Sequence, residues 1–262
     1  MKKQHVFQLF LQYTNEHRET GLSVLNELSG RLFPNSDFQT IAIDNSLVGD
    51  LELEIAYRND LIPGDNSTRE FSGWDKGLAW AAKKYRLRYD DTIILANDTF
   101  HRSYGTDYLA LFDQKVASEV SSGAIVGYVD EFPEAIKLFD MDLKYWIRSS
   151  LIIGKFGVLR RILPMTIPAQ NEQLFAPEWQ EFFSPQAPLS ENYQRFLRTW
   201  LFGEKFADGV FNEAWHSQQA LSPENIEAMK AKARCILCEH YFSARMIRSK
   251  IPMYNVCRQM RM

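Results

Sequence analysis

The sequence predicts an α/β fold: a doubly wound, mostly parallel sheet with a C-terminal helical extension. Short apolar segments alternate with segments of helical spacing over residues 5–130, as they do in doubly wound sheets. Residues 91–96 form a short apolar run, which is typical of a central parallel strand buried on both faces. Beyond residue 190 the pattern becomes mainly helical. The chain has 262 residues, which is long enough for one such domain and an extension.

The individual elements follow from two periodicities. Compact apolar runs predict strands, and apolar residues three or four positions apart, such as Leu22, Leu25 and Leu28, predict helices. The predicted strands are residues 5–13, 38–43, 51–57, 91–96 and 123–129, and the predicted helices are residues 19–33, 74–84 and 107–120. Residues 62–68 are rich in turn-forming residues and are predicted to be a turn.

The second part of the chain has a different pattern. Residues 168–190 are rich in Pro, Gln and Phe and are predicted to be loop, whereas residues 190–250 are predicted to be mainly helical. Ser222 followed by Pro223 is a favourable helix start, with a serine cap and a proline at the first position. The predicted domains are residues 1–165, which contain the sheet, and residues 166–262, which are mainly helical.

Acidic side chains follow two of the predicted strands. The segment Asp44-Asn45-Ser46 follows the second strand, and Asn97-Asp98-Thr99 follows the strand over residues 91–96. Ligands of open α/β sheets bind at the carboxyl ends of the parallel strands, so both segments are candidate binding sites. A carboxylate there can bond a ribose or base edge, or hold a Mg²⁺ or Mn²⁺ ion that neutralises a diphosphate. The alternative is that Asp and Asn are present because they favour turns.

The order of these features resembles the nucleotide-sugar domain of family-two glycosyltransferases with the GT-A fold, over residues 5–130. The resemblance rests on the first strand, on Ile43-Asp44-Asn45-Ser46, on the segment Asn66–Gly77 and on Leu95-Ala96-Asn97-Asp98-Thr99. It implies a GT-A-like sheet, and a Mg²⁺ or Mn²⁺ ion that Asp98 holds on the sugar diphosphate. The residues that it implies for nucleotide-sugar binding are Asp44, Asn45, Ser46, Asn66, Gly73, Trp74, Lys76, Asn97 and Arg148.

A weaker likeness concerns the acceptor. Asn97-Asp98-Thr99, Gly127-Tyr128 and the segment Trp146–Leu151 are similar to bacterial rhamnan-synthesis-type proteins, which build cell-surface polysaccharides. This implies a glycan or lipid-linked glycan acceptor of the O-antigen or capsule type. The usual acidic pair of these enzymes is Asp-x-Asp, whereas this sequence has one carboxylate in that motif. One carboxylate with diphosphate oxygens and waters can suffice for Mg²⁺.

Glycosyl transfer needs groups that stabilise negative charge. The leaving nucleoside diphosphate gains charge in the transition state, and a metal ion or cationic side chains must stabilise it. His101 and Arg102 directly follow the Asp98 motif and are candidates for this role. A surface or structural role is the alternative for both residues.

The reaction also needs a proton acceptor if the anomeric configuration is inverted. A carboxylate must then deprotonate the acceptor hydroxyl. Asp130 and Glu131, directly after the predicted strand over 123–129, are the best-placed catalytic candidates. The competing carboxylates are Glu178, Glu181 and Glu191.

The charge of the chain is unevenly distributed. Residues 228–262 contain eight Lys or Arg and one Glu, a balance of +7, so residues 1–227 carry −10 within a total of −3. A basic tail suggests contact with an anionic surface, and an ordinary solvated helix face is the alternative. No secretory signal is recognisable and the chain has three cysteines, so we expect a cytoplasmic protein with peripheral contact at the inner membrane face. We expect no nucleic-acid partner, because the body has few basic residues.

Several other function classes are disfavoured by the motifs. The sequence has no Gly-x-Gly-x-x-Gly, no Gly-x-x-x-x-Gly-Lys-Ser/Thr and no Gly-x-Ser-x-Gly, which disfavours dinucleotide oxidoreductases, P-loop enzymes and serine hydrolases. Cys235 and Cys238 have the spacing of zinc ligands, but no second close Cys/His pair accompanies them. Packing of these cysteines on a helix is the simpler interpretation.

The leading hypothesis is a glycosyltransferase that moves a sugar from a nucleotide diphosphate donor to a surface polysaccharide. One alternative is a non-catalytic GT-A-fold component of a polysaccharide assembly complex, which the incomplete acidic motif favours. A nucleotidyltransferase is a third hypothesis. It is disfavoured because no Gly/Lys/Arg-rich phosphate loop follows the first strand.

Overall fold

The computed structural model describes residues 3–14, 16–47, 53–56, 59–102, 107–206 and 217–262. The strands are β1 (His5–Gln12), β2 (Asp37–Asp44), β3 (Leu53–Ala56), β4 (Asn59–Pro63), β5 (Thr92–Asn97), β6 (Ile125–Leu138), β7 (Met141–Lys155), β8 (Met253–Asn255) and β9 (Met260–Arg261). The α-helices are α1 (Arg18–Leu32), α2 (Glu70–Tyr85), α3 (Gln114–Ser121), α4 (Phe156–Leu159), α5 (Asn171–Leu174), α6 (Glu191–Phe202) and α7 (Ile226–Arg248), and Asp107–Leu111 and Arg160–Ile162 are 3₁₀ turns.

The strands form a single nine-stranded sheet in the order β3-β4-β2-β1-β5-β7-β6-β8-β9. Strands β4, β2, β1 and β5 run parallel to one another. Strand β7 is antiparallel to both of its neighbours, so β6 runs in the same direction as β5. The predicted α/β class, with a doubly wound, mostly parallel sheet, is confirmed.

Helices cover both faces of the sheet. On one face, α1 and α3 bury residues such as Leu25 and Val116 against Phe10 of β1. On the other face, α2, α6 and α7 bury residues such as Leu78 and Leu237 against the larger part of the core. The carboxyl ends of β1, β2, β4 and β5 therefore lie between two helical layers, at the edge where α1 and α2 begin.

The third predicted strand is partly wrong. Residues 51, 52 and 57 of that prediction lie outside the described residues, and Leu53–Ala56 forms β3, an antiparallel edge strand. The parallel position beside β2 belongs instead to β4, which overlaps the segment predicted to be a turn. Strand β4 was missed because it is short and contains Asp60 and Pro63, which are uncommon in strands.

Two further differences concern β6 and the helix over residues 107–120. The strand predicted over residues 123–129 extends to Leu138 and pairs with β7, which the sequence analysis did not predict. The predicted helix is split, because the Asp113 carboxylate accepts the N–H of Lys115 at 2.8 Å and caps α3.

The C-terminal part contributes to both the sheet and a helical layer. Helix α7 begins at Ile226 rather than at the predicted Ser222 cap, because Asn225 accepts the Ser222 N–H at 2.9 Å in a preceding turn. Strand β8 pairs with β6, so Met253 lies opposite Ile125. Within the described residues, no helix combines the length and apolarity that a membrane crossing requires.

Candidate functional site

The parallel strands bring the two predicted acidic segments to one edge of the sheet. Strands β2 and β5 both pair with β1, so Gln12 at the end of β1 lies opposite Asp44, and Leu11 lies opposite Asn97. Asp98 follows Asn97 directly. Asp44 and Asp98 therefore flank the end of β1, where ligands of open α/β sheets bind.

The carboxylate of Asp44 is fully used by the protein itself. Asp44 is 1% exposed, and one oxygen accepts the N–H and hydroxyl of Ser46 at 2.8 and 2.6 Å. The other oxygen accepts the Gln12 amide at 2.6 Å and the Arg18 guanidinium at 3.1 Å. Four donors satisfy a carboxylate. Asp44 thus positions Arg18, and it has no free lone pair for a nucleoside in this arrangement.

Close packing against Asn45 explains why Gly64, after β4, and Gly73, in the first turn of α2, are glycines. Its amide donates to the Arg69 carbonyl at 3.2 Å and approaches the exposed Asn66 side chain at 3.4 Å. Its Oδ1 is buried and has no hydrogen-bond partner. A Cβ atom on Gly64 would lie 1.9 Å from this oxygen, and one on Gly73 would lie 3.1 Å from it. Only glycine allows the chain to approach Asn45 so closely.

Two residues of the same predicted segment have structural surroundings. Trp74 is 0% exposed and packs edge-to-face on Phe71, because α2 begins at Glu70 and places Trp74 one turn inside the core. The assignment of Trp74 to a nucleotide-sugar surface is therefore corrected to a core position. Lys76 is half-buried and donates to the Gly64 carbonyl at 3.3 Å.

Asp98 differs from Asp44 in having few partners. It is 3% exposed, and one carboxylate oxygen accepts the backbone N–H of Tyr13 at 3.0 Å. Burial raises the pKa of Asp98, the Tyr13 N–H and the nearby His17 oppose this, and the neighbouring Glu70 raises it further. The Oδ1 atom of Asn97 is already used within the protein, since it accepts the N–H and hydroxyl of Thr99.

A chain of hydrogen bonds links Asp98 to two more carboxylates, and we call these residues the acid chain. The Tyr13 hydroxyl donates to Glu70 at 3.0 Å, and the Ser149 hydroxyl donates to the other Glu70 oxygen at 3.1 Å. The backbone N–H of Ser149 donates to Glu239. The acid chain therefore comprises Asp98, Tyr13, Glu70, Ser149 and Glu239, supplied by the ends of β1 and β5 and by α2, β7 and α7.

Glu239 titrates near neutral pH. Burial raises its pKa to about 7, the hydrogen bond from Ser149 opposes this, and the charge of Glu70 adds to it. A carboxyl group with such a pKa is suited to exchanging a proton at neutral pH. The sequence analysis missed this role, although Glu239 is the one acid among the eight basic residues after position 227. A single acid within a basic segment was the sequence feature that could have indicated this role.

Two arginines and a histidine, Arg102, Arg18 and His17, come together at the start of α1. The Arg102 guanidinium lies 2.9 Å from Nδ1 of His17, which precedes the first residue of α1 without capping it through its side chain. Arg18 follows and is held by Asp44 and by the side-chain amide oxygen of Gln12 at 2.7 Å. Cations beside a helix N-terminus favour the binding of an anion such as a phosphate. His101 is buried, and burial lowers its pKa.

The candidate bases predicted from sequence have ion-pair partners of their own. Arg148 binds both oxygens of Asp130, with an Nη2–Oδ1 distance of 3.0 Å. Glu131 lies 3.0 Å from the Arg258 guanidinium and 3.6 Å from the Lys144 ammonium group. These pairs lie on the part of β6 and β7 that continues past the end of β5.

The carboxylates fit a metal ion only as partners of a substrate. Among the described residues, no three His, Cys, Asp or Glu side chains are arranged to hold a metal ion by themselves. Asp98 and Glu70 offer oxygen atoms, and Mg²⁺ is commonly bound by one or two carboxylates together with substrate phosphates. Cys235 and Cys238 are buried in α7, where burial raises the pKa of both thiols, so they fit the packing interpretation rather than a zinc site.

The chain was compared with known proteins. No protein-family model matches it, and no curated protein matches it. Seventeen chains among the solved structures match it. One is 4-diphosphocytidyl-2C-methyl-D-erythritol synthase, which is 13% identical, has a TM-score of 0.38 and aligns over 64% of this chain and 82% of its own. A likeness this distant carries no information on activity.

Proposed function

We propose that this protein is a glycosyltransferase that moves a sugar from a nucleotide diphosphate donor to a bacterial surface polysaccharide. The observation that carries the proposal is the acid chain at the carboxyl edge of four parallel strands, next to the cations at the start of α1. Such an edge binds the ligands of open α/β sheets. When the diphosphate leaves, its negative charge must be stabilised by cationic side chains or by a metal ion that carboxylates hold.

The donor diphosphate would lie between Asp98 and the cations. His17 lies close enough to Asp98 to influence its pKa, and the Arg102 guanidinium contacts His17, so Arg102 can offset the charge of the phosphates from this side. Mg²⁺ or Mn²⁺, held by Asp98 and the phosphate oxygens, would supply further positive charge. Because Asp44 is saturated, we propose that it acts on the donor through Arg18, which it orients.

The proton acceptor is better matched by Glu239 than by Asp130 or Glu131. Glu239 has a pKa of about 7 and accepts a hydrogen bond in the acid chain. Arg148 holds both oxygens of Asp130 through two N–H groups, an arrangement that fixes this carboxylate in place. We therefore propose Glu239 as the base, and acceptor binding as the role of Asp130 and Glu131.

One observation favours the alternative of a non-catalytic component of a polysaccharide assembly complex. Asp98 is the one carboxylate of its motif, and Asp44 is fully bonded within the protein. A protein that keeps the fold and loses the chemistry would have the same features. The alternative predicts that donors do not bind, or that they bind without turnover.

The decisive experiment is a thermal-shift screen of UDP-, GDP-, dTDP- and CMP-sugars with and without Mn²⁺, followed by a donor hydrolysis assay. A ligand at about 100 times its dissociation constant should stabilise the fold by roughly 2.7 kcal/mol. Metal-dependent stabilisation with release of nucleoside diphosphate supports the enzyme. Stabilisation without release supports the non-catalytic alternative, and no stabilisation by any donor contradicts the enzyme.

A further inference from the structure

A cleft of about 360 Å³ lies outside the acid chain, between β6 and the residues that follow β8. The lining side chains that can bind or react with a ligand are Tyr128, Asp130, Glu131, Lys144, Cys257 and Arg258. Its volume is within the range of small-ligand sites, which is about 300–1,000 Å³. We refer to it as the β6 cleft.

The charges that line the β6 cleft balance. Asp130 and Glu131 supply two carboxylates, and Lys144 and Arg258 supply two cations. Glu131 pairs with both cations, at 3.6 and 3.0 Å. A cleft of zero net charge has no preference for an anion or a cation. It offers both acceptors and donors, which suits a neutral ligand whose hydroxyl groups donate and accept at once.

The acceptor side of the cleft is rigidly held. Arg148 binds Asp130 through two N–H groups, and its guanidinium lies 4.0 Å above the ring of Tyr128. Tyr128 is half-buried and forms an aromatic wall beside the carboxylates. An aromatic wall next to fixed polar groups matches a sugar ring, which has apolar C–H faces and a hydroxylated rim.

The cleft adjoins the proposed reaction site through two consecutive residues of β7. Arg148 fixes the cleft carboxylate Asp130, whereas Ser149 donates to Glu70 and Glu239 in the acid chain. The cleft and the acid chain are therefore connected through neighbouring residues of β7.

We infer that the β6 cleft binds a sugar residue of a neutral glycan. The inference rests on the proposed function only in identifying this glycan as the acceptor. Carbohydrate binding itself follows from the cleft, and it can be measured without a donor.

Cys257 provides a direct measurement. It is exposed and lines the cleft, whereas the other two cysteines, Cys235 and Cys238, are buried and serve as internal controls. The rate of alkylation of Cys257 by iodoacetamide would be followed by peptide mass spectrometry, with and without p-nitrophenyl glycosides of rhamnose, glucose, galactose and N-acetylglucosamine. A bound glycoside at about twice its dissociation constant should slow the alkylation roughly threefold.

A pair of variants locates the protection. Glu131→Gln removes a carboxylate that lines the cleft, and should abolish most of the protection. Glu134→Gln is the matched control on the same strand, since Glu134 is exposed outside the cleft and the amide oxygen can still accept from Asn192. Near-ultraviolet circular dichroism would confirm that both variants are folded.

The inference is overturned if no glycoside slows alkylation of Cys257, or if protection is the same in Glu131→Gln and Glu134→Gln. The result is distinguishable from failure of the proposed function. Protection by a glycoside in a protein that binds no nucleotide sugar would retain the cleft as a carbohydrate site and remove the transferase. Donor turnover without protection would do the reverse.

Discussion

Asp44 ends β2 and Asp98 directly follows β5, the two strands that flank β1, yet their surroundings give them different chemistry. Within the described residues, Asp44 accepts four hydrogen bonds, while Asp98 accepts the N–H groups of Tyr13 and of its own backbone and has a raised pKa. A carboxylate that is buried with few donors retains free lone pairs for an ion or a phosphate-bound metal. Asp98 is therefore the residue whose charge we expect the reaction to need.

We predict that Asp98→Asn lowers sugar transfer by about 100-fold or more, the size of a lost electrostatic contact in a transition state. The fold should be nearly unchanged, because the Asn oxygen can still accept the Tyr13 N–H and the amide removes a buried charge. Transfer rate and melting temperature are the measurements. Asp90→Asn, an exposed substitution just before the opposite end of the same strand, should retain activity. Unreduced turnover in a folded Asp98→Asn protein would rule out this role.

We predict a second residue-scale effect, on pH dependence, for Glu239. Its folded pKa is raised from 4.5 to about 7, so its stabilising contribution is complete below about pH 4.5 and is lost as the pH rises through 7. Glu239→Gln should therefore flatten the fall in stability between pH 5 and 8, measured by urea unfolding. If Glu239 is the base, transfer should rise with pH around 7 in the native protein, and the variant should lose that limb. An unchanged pH profile of transfer would exclude Glu239 as the base.

At the scale of elements, the turn from β4 to α2 depends on close packing against Asn45. A Cβ atom on Gly64 would lie 1.9 Å from the Asn45 side-chain oxygen and 3.1 Å from its Cα. The end of β2 and the turn are thereby held in one position. The Arg69 residue before α2 has a φ of 54°, so the turn contains one further conformation that few residues adopt.

We predict that Gly64→Ala destabilises the protein by about 1–3 kcal/mol, as expected for overpacking. It should also weaken donor binding, because Asn45 and Arg69 must move. Gly30→Ala is the control: its Cβ would meet nothing within 4 Å, and the substitution in α1 should stabilise by about 0.4–1 kcal/mol. Urea unfolding and donor titration measure both effects. Equal stability of the two variants would show that the turn can relax around Asn45.

The elements also show what the sequence could predict. β1, β2, β5 and the two acidic segments were predictable, because an apolar run followed by Asp or Asn determines both the strand and its end. β7 was not, because Lys144, Arg148 and the serines interrupt its apolar run. The acid chain could not be predicted because Glu70, Ser149 and Glu239 are far apart in the sequence. Only the pairing of β7 and the packing of α7 bring them together.

For the whole molecule, the C-terminal segment is part of the core. Eleven residues of α7 are buried, including Leu237, Phe242 and Met246. Strands β8 and β9 complete the sheet beside β6. The division into domains at residue 165 stays a prediction, but the larger hydrophobic core includes residues from both sides of it.

The charges of this segment are mostly engaged within the protein. Arg248 pairs with Asp140 at 2.8 Å, and Arg261 pairs with Glu119 at 2.7 Å. Arg245 donates to the backbone carbonyl oxygens of Leu163 and Pro164, directly after the 3₁₀ turn Arg160–Ile162. A cation with an intramolecular partner contributes less to binding an anionic surface, because the partner's charge offsets it.

We predict that removal of residues 228–262 unfolds the protein, and that the full-length protein shows little salt-sensitive binding to anionic membranes. Free Lys or Arg residues near such a surface would each contribute about 1 kcal/mol, an effect that fades as salt rises. Co-sedimentation with phosphatidylcholine vesicles, with and without phosphatidylserine, measures this.

The double variant Arg248→Glu and Lys250→Glu reverses two exposed charges and should sediment as the native protein does. Strong binding to phosphatidylserine vesicles that both salt and this variant abolish would instead establish peripheral docking. A folded, active protein without residues 228–262 would contradict the structural role of α7, since the buried face of that helix would then be dispensable.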